Sequence, residues 1–195
     1  KKQIPLDLKS RLVGRGDFEN LDGVRTDSPT QDWSGHLLIC SYAASRNWKV
    51  KTADISNAYF QGKELDRVLL LDPPRDGPLL LEDGTPDPDL ADGAKLIARV
   101  PIYGTPDAGR LFWKQMRETC VETGFQENEV AKATFACSTP DGEIVAMLGT
   151  HVDDLLWTAS PKGEQIVQKI LDKFNVRKVE QDSFRICGKD IEQDK

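Results

Sequence analysis

The chain of 195 residues carries 38% apolar and 30% charged side chains and a formal net charge of −6; these values exclude a disordered or fibrous polymer and leave a soluble globular fold with a substantial core. No apolar stretch approaches the ~20 residues a bilayer span requires, and no signal-peptide pattern opens the sequence. The charge is uneven: residues 72–92 (DPPRDGPLLLEDGTPDPDLAD) hold seven acids against one Arg, whereas residues 1–15 hold Lys1, Lys2, Lys9, Arg11 and Arg15 against Asp7 alone.

In chain order, the turn "SPT" at 28–30 precedes QDWSGHLLICSYAASRNW, which spaces Trp33, Leu37, Cys40 and Ala44 at helical intervals. Thr30 or Asp32 can cap that helix. WKVKTAD follows as a strand with Trp48, Val50, Thr52 and Asp54 on one face. VLLL at 68–71 is a second strand, stopped by Pro73 and Pro74. The acidic stretch 72–92, with five prolines, reads as an exposed loop. Beyond it AKLIARV is strand-like, and GRLFWKQMRETCVETG places Phe112, Met116 and Cys120 four apart before Gly124 ends a helix. Two strands flank "HVDDLLW" at 151–157. Ser160 and Pro161 suit the cap and first position of a helix whose buried stripe is Ile166, Ile170 and Phe174. KVE and SFRICGKDI close the chain as short edge strands. This order predicts an α+β fold with an antiparallel sheet and helices on one face, after a smaller N-terminal subdomain.

The four cysteines, Cys40, Cys120, Cys137 and Cys187, include no C-x-x-C pair, which argues against a zinc or redox motif and for a reduced, intracellular compartment. His36 and His151 are the only histidines, so no histidine metal site is on offer. A start at Lys1 and a finish at Lys195 read as a fragment of a longer polypeptide.

The Asp153–Asp154 pair is the chemical oddity. If 144–152 and 155–159 are the arms of a hairpin, these two residues form its turn, where Asn-Gly or Asp-Gly is favoured because φ becomes positive. Adjacent carboxylates also raise each other's pKa unless a cation lies between them. A bare Asp-Asp dipeptide is usually an exposed polar loop, but Val152, Leu155, Leu156 and Trp157 are not the neighbours such a loop has. Asp54, which alone reads as a helix cap, ends a strand and can complete a cluster for two Mg²⁺ ions, whose hard-oxygen preference it meets. Such a pair of ions activates an attacking hydroxyl and stabilises the departing oxygen in displacement at phosphorus.

These strings carry a resemblance. KTADISNAYFQG resembles the first catalytic block of reverse transcriptases, and HVDD is similar to their Y-x-D-D block with His in place of Tyr. KSRLVGRG with RTDSPT, IYGTPDAGRLFW and FRICGKDI are similar, in family order over residues 7–192, to blocks of the copia-type (Pseudoviridae) LTR-retrotransposon reverse transcriptase. The resemblance implies a right-hand polymerase with a ferredoxin/RRM-like βαββαβ palm. Residues 1–48 would be a fingers segment and 49–195 the palm, in which 101–124 return to the fingers and template side; thumb and ribonuclease H are outside the sequence.

It further implies that Asp54, Asp153 and Asp154 are catalytic and, with the Ile55 carbonyl, hold two Mg²⁺ (or Mn²⁺) ions. Lys9, Arg11 and Tyr59 would bind the nucleotide, Tyr59 excluding a 2′-hydroxyl. Tyr103, Gly104, Arg110 and His151 would face template and primer. The implied activity is RNA-directed DNA synthesis with an RNA template, DNA primer and dNTPs. Its implied setting is a Pol polyprotein with integrase and ribonuclease H, in a cytoplasmic virus-like particle or the nucleus, away from membranes. Two departures stand out. Asp107-Ala108-Gly109 replaces the family's Q-A-P, and a carboxylate there is expected to weaken template contact by repulsion; the acidic stretch is expected to project away from the cleft. Two other readings use the same residues: a catalytically inactive remnant that binds nucleic acid or protein, and an unrelated Mg²⁺ phosphohydrolase.

Overall fold

The computed structural model describes residues 13–73, 81, 83–85, 87, 88 and 94–194. Its first helix, α1 (Trp33–Arg46), starts where Asp32 accepts the Gly35 N–H and stops where Asn47 turns left-handed at φ 54°. The strand β1 (Val50–Ile55) follows. A short hairpin, β2 (Leu69–Leu71) with β3 (Leu96–Ala98), brackets the acidic stretch. Then come α2 (Ala108–Glu122), β4 (Phe125–Glu127), β5 (Thr134–Ser138), β6 (Ile144–His151) and β7 (Asp154–Ala159). The helix α3 (Pro161–Leu171) is capped by Ser160, whose hydroxyl accepts the Gly163 N–H, with Pro161 in the first turn. β8 (Val176–Gln181), β9 (Ser183–Ile186) and β10 (Lys189–Glu192) complete the fold.

Six strands form one antiparallel sheet in the order β4-β5-β6-β7-β1-β8, and β9 pairs with β10 separately. Within the large sheet, β1-α2-β6-β7-α3-β8 is a split βαββαβ unit with strand order β6-β7-β1-β8. Strands β4 and β5 extend it at the β6 edge. They escape sequence reading because β4 is three residues long and four of the five β5 residues, Phe135 among them, are not separated by an alternating polar face.

The side chains of each central strand divide between two cores. Ala53, Ile55, Leu148, Leu155 and Trp157 meet Phe112, Met116 and Cys120 of α2 and Val167, Ile170 and Leu171 of α3. Trp157, only 1% exposed, is the largest side chain in that core; burying an aromatic of this size is worth about 3 kcal/mol. Burial also pushes the Cys120 thiol up to about 12. Val50, Met147 and Leu156 point the other way, toward Ile39 and Ala43 of α1 and Phe184 and Ile186 of β9. The helices therefore lie on both faces, α2 and α3 on one and α1 on the other, which corrects the expectation of a single helical face. The continuous apolar strands β6 and β7 require cover on both sides.

A second correction concerns α1. Its inward stripe is Gly35, His36, Ile39 and Ala43, while Trp33 and Leu37 are about half exposed. Gly35 sets this rotation, since a Cβ there would run into Gln31 and Thr134. On α3, Val167 and Leu171 join Ile170 in the core and Ile166 packs at its margin. No helix among the described residues is long and apolar enough to cross a membrane.

Candidate active site

β1 and β7 run antiparallel with Asp54 opposite Asp154, and β6 and β7 with His151 opposite the same Asp154. Opposed residues of a ladder share a face, with Cα atoms roughly 4.5–5.5 Å apart. His151, Asp154 and Asp54 therefore form one row across three strands, on the side of the sheet that carries α1 and β9. Lys178 of β8 stands opposite Asp54 and extends the row, but its ammonium is engaged by Glu180 at 2.6 Å. The register is reinforced nearby, where the buried Thr52 hydroxyl donates to the Leu155 carbonyl at 2.8 Å.

Asp153 joins through the backbone. Its carbonyl accepts the Ile55 N–H at 2.8 Å, which ties the hairpin tip to the end of β1. The turn itself differs from expectation: Asp154 already belongs to β7, so the two turn residues are Val152 and Asp153. Positive φ falls on Val152, at 56°, a position where a β-branched residue is strained and glycine is usual. That shift of one residue is what puts Asp154, rather than Asp153, in line with Asp54.

Among the described residues, no ion pair involves Asp54, Asp153 or Asp154. Burial, then the charges of Asp153 and Asp54, hold the Asp154 carboxyl above its ordinary value, with His151 opposing. Nor do the described residues contain three His, Cys, Asp or Glu side chains placed as a ready-made metal-binding group. The carboxylates are an open set of hard anionic oxygens. Mg²⁺ suits such a set, because it commonly takes one or two carboxylates and completes its shell with water and phosphate oxygens.

Tyr59 lies in a 3-10 turn at Ala58–Gln61, entered through a left-handed Asn57. Burial and then the Asp153 charge push its hydroxyl up, which locates it within the field of the hairpin tip. Its ring rests on that of Tyr103, with centroids 4.8 Å apart, and Phe60 meets Tyr103 edge-on at 5.8 Å. The Tyr103 carbonyl accepts the Gly14 N–H at 2.7 Å. Gly104, at φ 89°, has the Gly14 carbonyl where a Cβ would stand, so the Val13–Gly16 strand of chain can lie directly on this turn. Lys9 and Arg11 lie outside the described residues. The Ile55 side chain is core, and Arg110 is bound to Asp27 at 2.7 Å.

Asp107, expected to weaken template contact by repulsion, is ion-paired within the protein. The side chain is 7% exposed, and both its oxygens accept from Arg67, from Nε and Nη2 at 3.1 Å each. Nη1 of the same guanidinium reaches Glu19. Its charge is thus paired with Arg67 inside the protein rather than left free.

Two residues beside the carboxylate row carry no signal in the sequence around them. Gln31 is 4% exposed; its amide fills the space over Gly149, its N–H donates to the Thr150 carbonyl at 2.8 Å, and its own carbonyl lies 3.4 Å from His151 Nδ1. Cys187 occupies the β9–β10 turn with Gly188, both at positive φ. Its thiol is pushed up by burial and then by Asp154, so this hairpin tip lies within the field of the carboxylates. A Y-x-D-D-like string on one hairpin points to neither residue, because both arrive through tertiary packing.

The whole chain, residues 1–195, matches the family model described as reverse transcriptase (RNA-dependent DNA polymerase). Two retrovirus-related Pol polyproteins of Arabidopsis thaliana are similar: that from transposon RE2 is 29% identical over 154 residues, 78% of this chain and 10% of the relative. That from transposon RE1 is 28% identical over 171 residues, 87% of this chain and 11% of the relative. The chain thus spans about a tenth of the length of these curated relatives. No solved structure matches significantly. With this match over its full length, the chain belongs to the reverse transcriptase family, in its copia-type branch.

Proposed function

We propose that this chain is the palm and part of the fingers of an RNA-directed DNA polymerase that adds dNTPs to a primer 3′-hydroxyl, residues 1–48 belonging to the fingers and 49–195 to the palm. The observation that carries the reading is the register that sets Asp54 against Asp154 while Ile55 binds the Asp153 carbonyl. Asp54 and Asp153 would hold two Mg²⁺ ions in this reading, with Asp154 and the Ile55 carbonyl completing the protein's share of ligands. The ions, when bound, supply activation of the 3′-hydroxyl and neutralisation of charge on the phosphoryl oxygens.

The remaining work falls to positioning. Asp154, held above its ordinary pKa by burial and then by its neighbours, would gain in ionisation from a nearby cation. Tyr59, backed by Tyr103, presents a rigid ring where the sugar of the incoming nucleotide would lie, and a 2′-hydroxyl would collide with it. Gly104 and the Gly14–Gly16 segment against it give the backbone surface on which the templating pair would rest. His151, Tyr103 and Arg110 complete the template and primer side; Lys9 and Arg11 are assigned to the triphosphate. The Pol polyprotein relatives support a setting in which this chain is part of a larger polypeptide, and integrase and ribonuclease H are proposed as its other parts.

Primer extension on an RNA template with Mg²⁺ tests this. Templated dNTP incorporation is expected, reduced by about 10³-fold in Asp153→Asn. Primer-template binding with no extension in the wild-type chain identifies a catalytically inactive remnant instead. In Tyr59→Ala, ribonucleotide incorporation is expected to rise, and unchanged sugar selection removes Tyr59 from the nucleotide site.

A further inference from the structure

We propose that the cavity at the head of α2, between Arg25, Arg67, Arg110 and Lys114, seats a backbone phosphate of the nucleic-acid strand, and that Asp27 is the internal anion that holds its place. The inference rests on the polymerase reading, which supplies the strand.

The cavity has a volume of about 250 Å³ and is lined by those four cations and two carboxylates, Asp66 and Asp107. Asp107 and Arg67 are already committed to each other. What remains on the cationic side is Arg25, Arg110 and Lys114. Arg25 forks onto Asp27 through Nε and Nη2, both at 2.9 Å, and Arg110 Nη1 reaches the same carboxylate at 2.7 Å. Two guanidiniums from segments far apart in sequence thus converge on one carboxylate, whose side chain is half exposed. A phosphodiester presents the same thing to such a pair: two anionic oxygens on one centre, suited to guanidinium forks.

Asp27 does not exhaust the site. Lys114, one helical turn beyond Arg110, has no ion-pair partner among the described residues, and Arg110 Nε is buried without an acceptor. Beside it, the Trp113 ring lies 5.2 Å from the Arg110 guanidinium, and its Nε1 is also buried without an acceptor. Buried donors are nearly always satisfied, so the orphaned Nε of Arg110, which lines the cavity, marks a place where an acceptor is expected, while Trp113 stands outside the lining. The wall is built rather than incidental. The Ser28 hydroxyl donates to the Gly109 carbonyl at 3.0 Å, and a Cβ on Gly109 would press on Ser28 at 3.1 Å, so the Gly23–Ser28 segment is clamped to the start of α2. Asp27 itself lies outside any strand or helix, and its exchange for a phosphate breaks no ladder bond.

The test is equilibrium binding of a labelled RNA–DNA primer-template to the 195-residue chain, read by anisotropy over a range of salt. Arg25→Gln and Lys114→Gln are each expected to weaken binding severalfold and to reduce the slope of log affinity against log salt by about one unit. Asp27→Asn is expected to tighten binding, because it removes the competing anion while the cations stay. The signs are opposite, and thermal melts confirm that all three variants fold. Wild-type affinity and slope in the Arg25 and Lys114 variants overturn the proposal, as does weaker binding by Asp27→Asn, which makes Asp27 a structural bracket. Thermal stabilisation by inorganic phosphate that is lost in Arg25→Gln, with strand binding unchanged, reassigns the cavity to a free anion and likewise overturns it. Failure of the wild-type chain to bind any nucleic acid is a different result, which removes the polymerase reading and this inference with it.

Discussion

At the β6–β7 tip three carboxylates, Asp54, Asp153 and Asp154, gather with no ion-pair partner among the described residues, whereas at the head of α2 Asp107 and Glu19 close on the single guanidinium of Arg67. Both arrangements cost free energy to assemble. In the second the compensation is internal: a forked, partly buried guanidinium satisfies both oxygens of Asp107 and joins segments around residues 19, 67 and 107. In the first it is deferred. The ladder of β1, β7 and β6 holds like charges together, opposed within the row by His151, and a cation bound from outside would offset them further. The contrast separates charge used to build the protein from charge kept available for a ligand.

The largest expected effect breaks the internally compensated cluster. Arg67→Ala should destabilise the fold by about 3 kcal/mol in urea unfolding, because two mostly buried carboxylates lose their cation. Replacing Arg67, Asp107 and Glu19 together by Met, Leu and Leu should recover most of that loss, since an apolar triad has no charge to desolvate. If Arg67→Ala unfolds at the wild-type urea midpoint, the cluster is not a clamp.

A smaller effect is expected at the tip. Val152→Gly should stabilise the chain by about 0.5–1 kcal/mol, since glycine relieves a β-branched residue held at φ 56° while adding entropy to the unfolded chain. Reduced primer extension by this more stable variant would show that the strain positions Asp153, and an unchanged or lower unfolding midpoint would show that the turn is not strained.

The smallest effect sharpens the sign of the contrast. Because the Asp154 carboxyl is raised in the folded state from 3.8, folded and unfolded chains both hold its proton below about pH 3.8 and nothing is lost there. As pH rises from that point the unfolded chain ionises first, so the folded state loses stability until the raised value is passed. Asp154→Asn should therefore raise Tm by about 2 °C at neutral pH, converge with wild type in acid, and lose polymerisation. Loss of Tm at neutral pH would show that Asp154 is compensated within the protein, as Asp107 is.

Much of this was legible in residue pattern. The cap at Ser160, the choice of Thr30 or Asp32 as the cap of α1, the stop at Gly124 and the strand through Asp54, one residue short of its end at Ile55, follow from local chemistry, as do the arms on either side of the HVDD string, because each depends on neighbours within four or five residues. The position of the turn was not: whether Asp153-Asp154 or Val152-Asp153 reverses the chain depends on the register of β6 against β7, which the pairing of whole strands decides. The rotation of α1 depended on Gly35 meeting Gln31 and Thr134, contacts about a hundred residues apart in the second case. Asp107 looked like a liability because its partner, Arg67, lies forty residues away.

By itself the sequence determined the helices, most of the strands but not β4 or β5, which acids were unusual and which family's blocks they resembled, since caps, turns and hydrophobic period act over a few residues. Only the tertiary structure decided that α1 covers the opposite face from α2 and α3, that Asp54 and Asp154 share one row, and that Asp107 is neutralised. Each of these requires two distant segments to meet, and the energies that choose among such meetings, burial on both sheet faces and the pairing of desolvated charge, exist only once the chain has closed on itself.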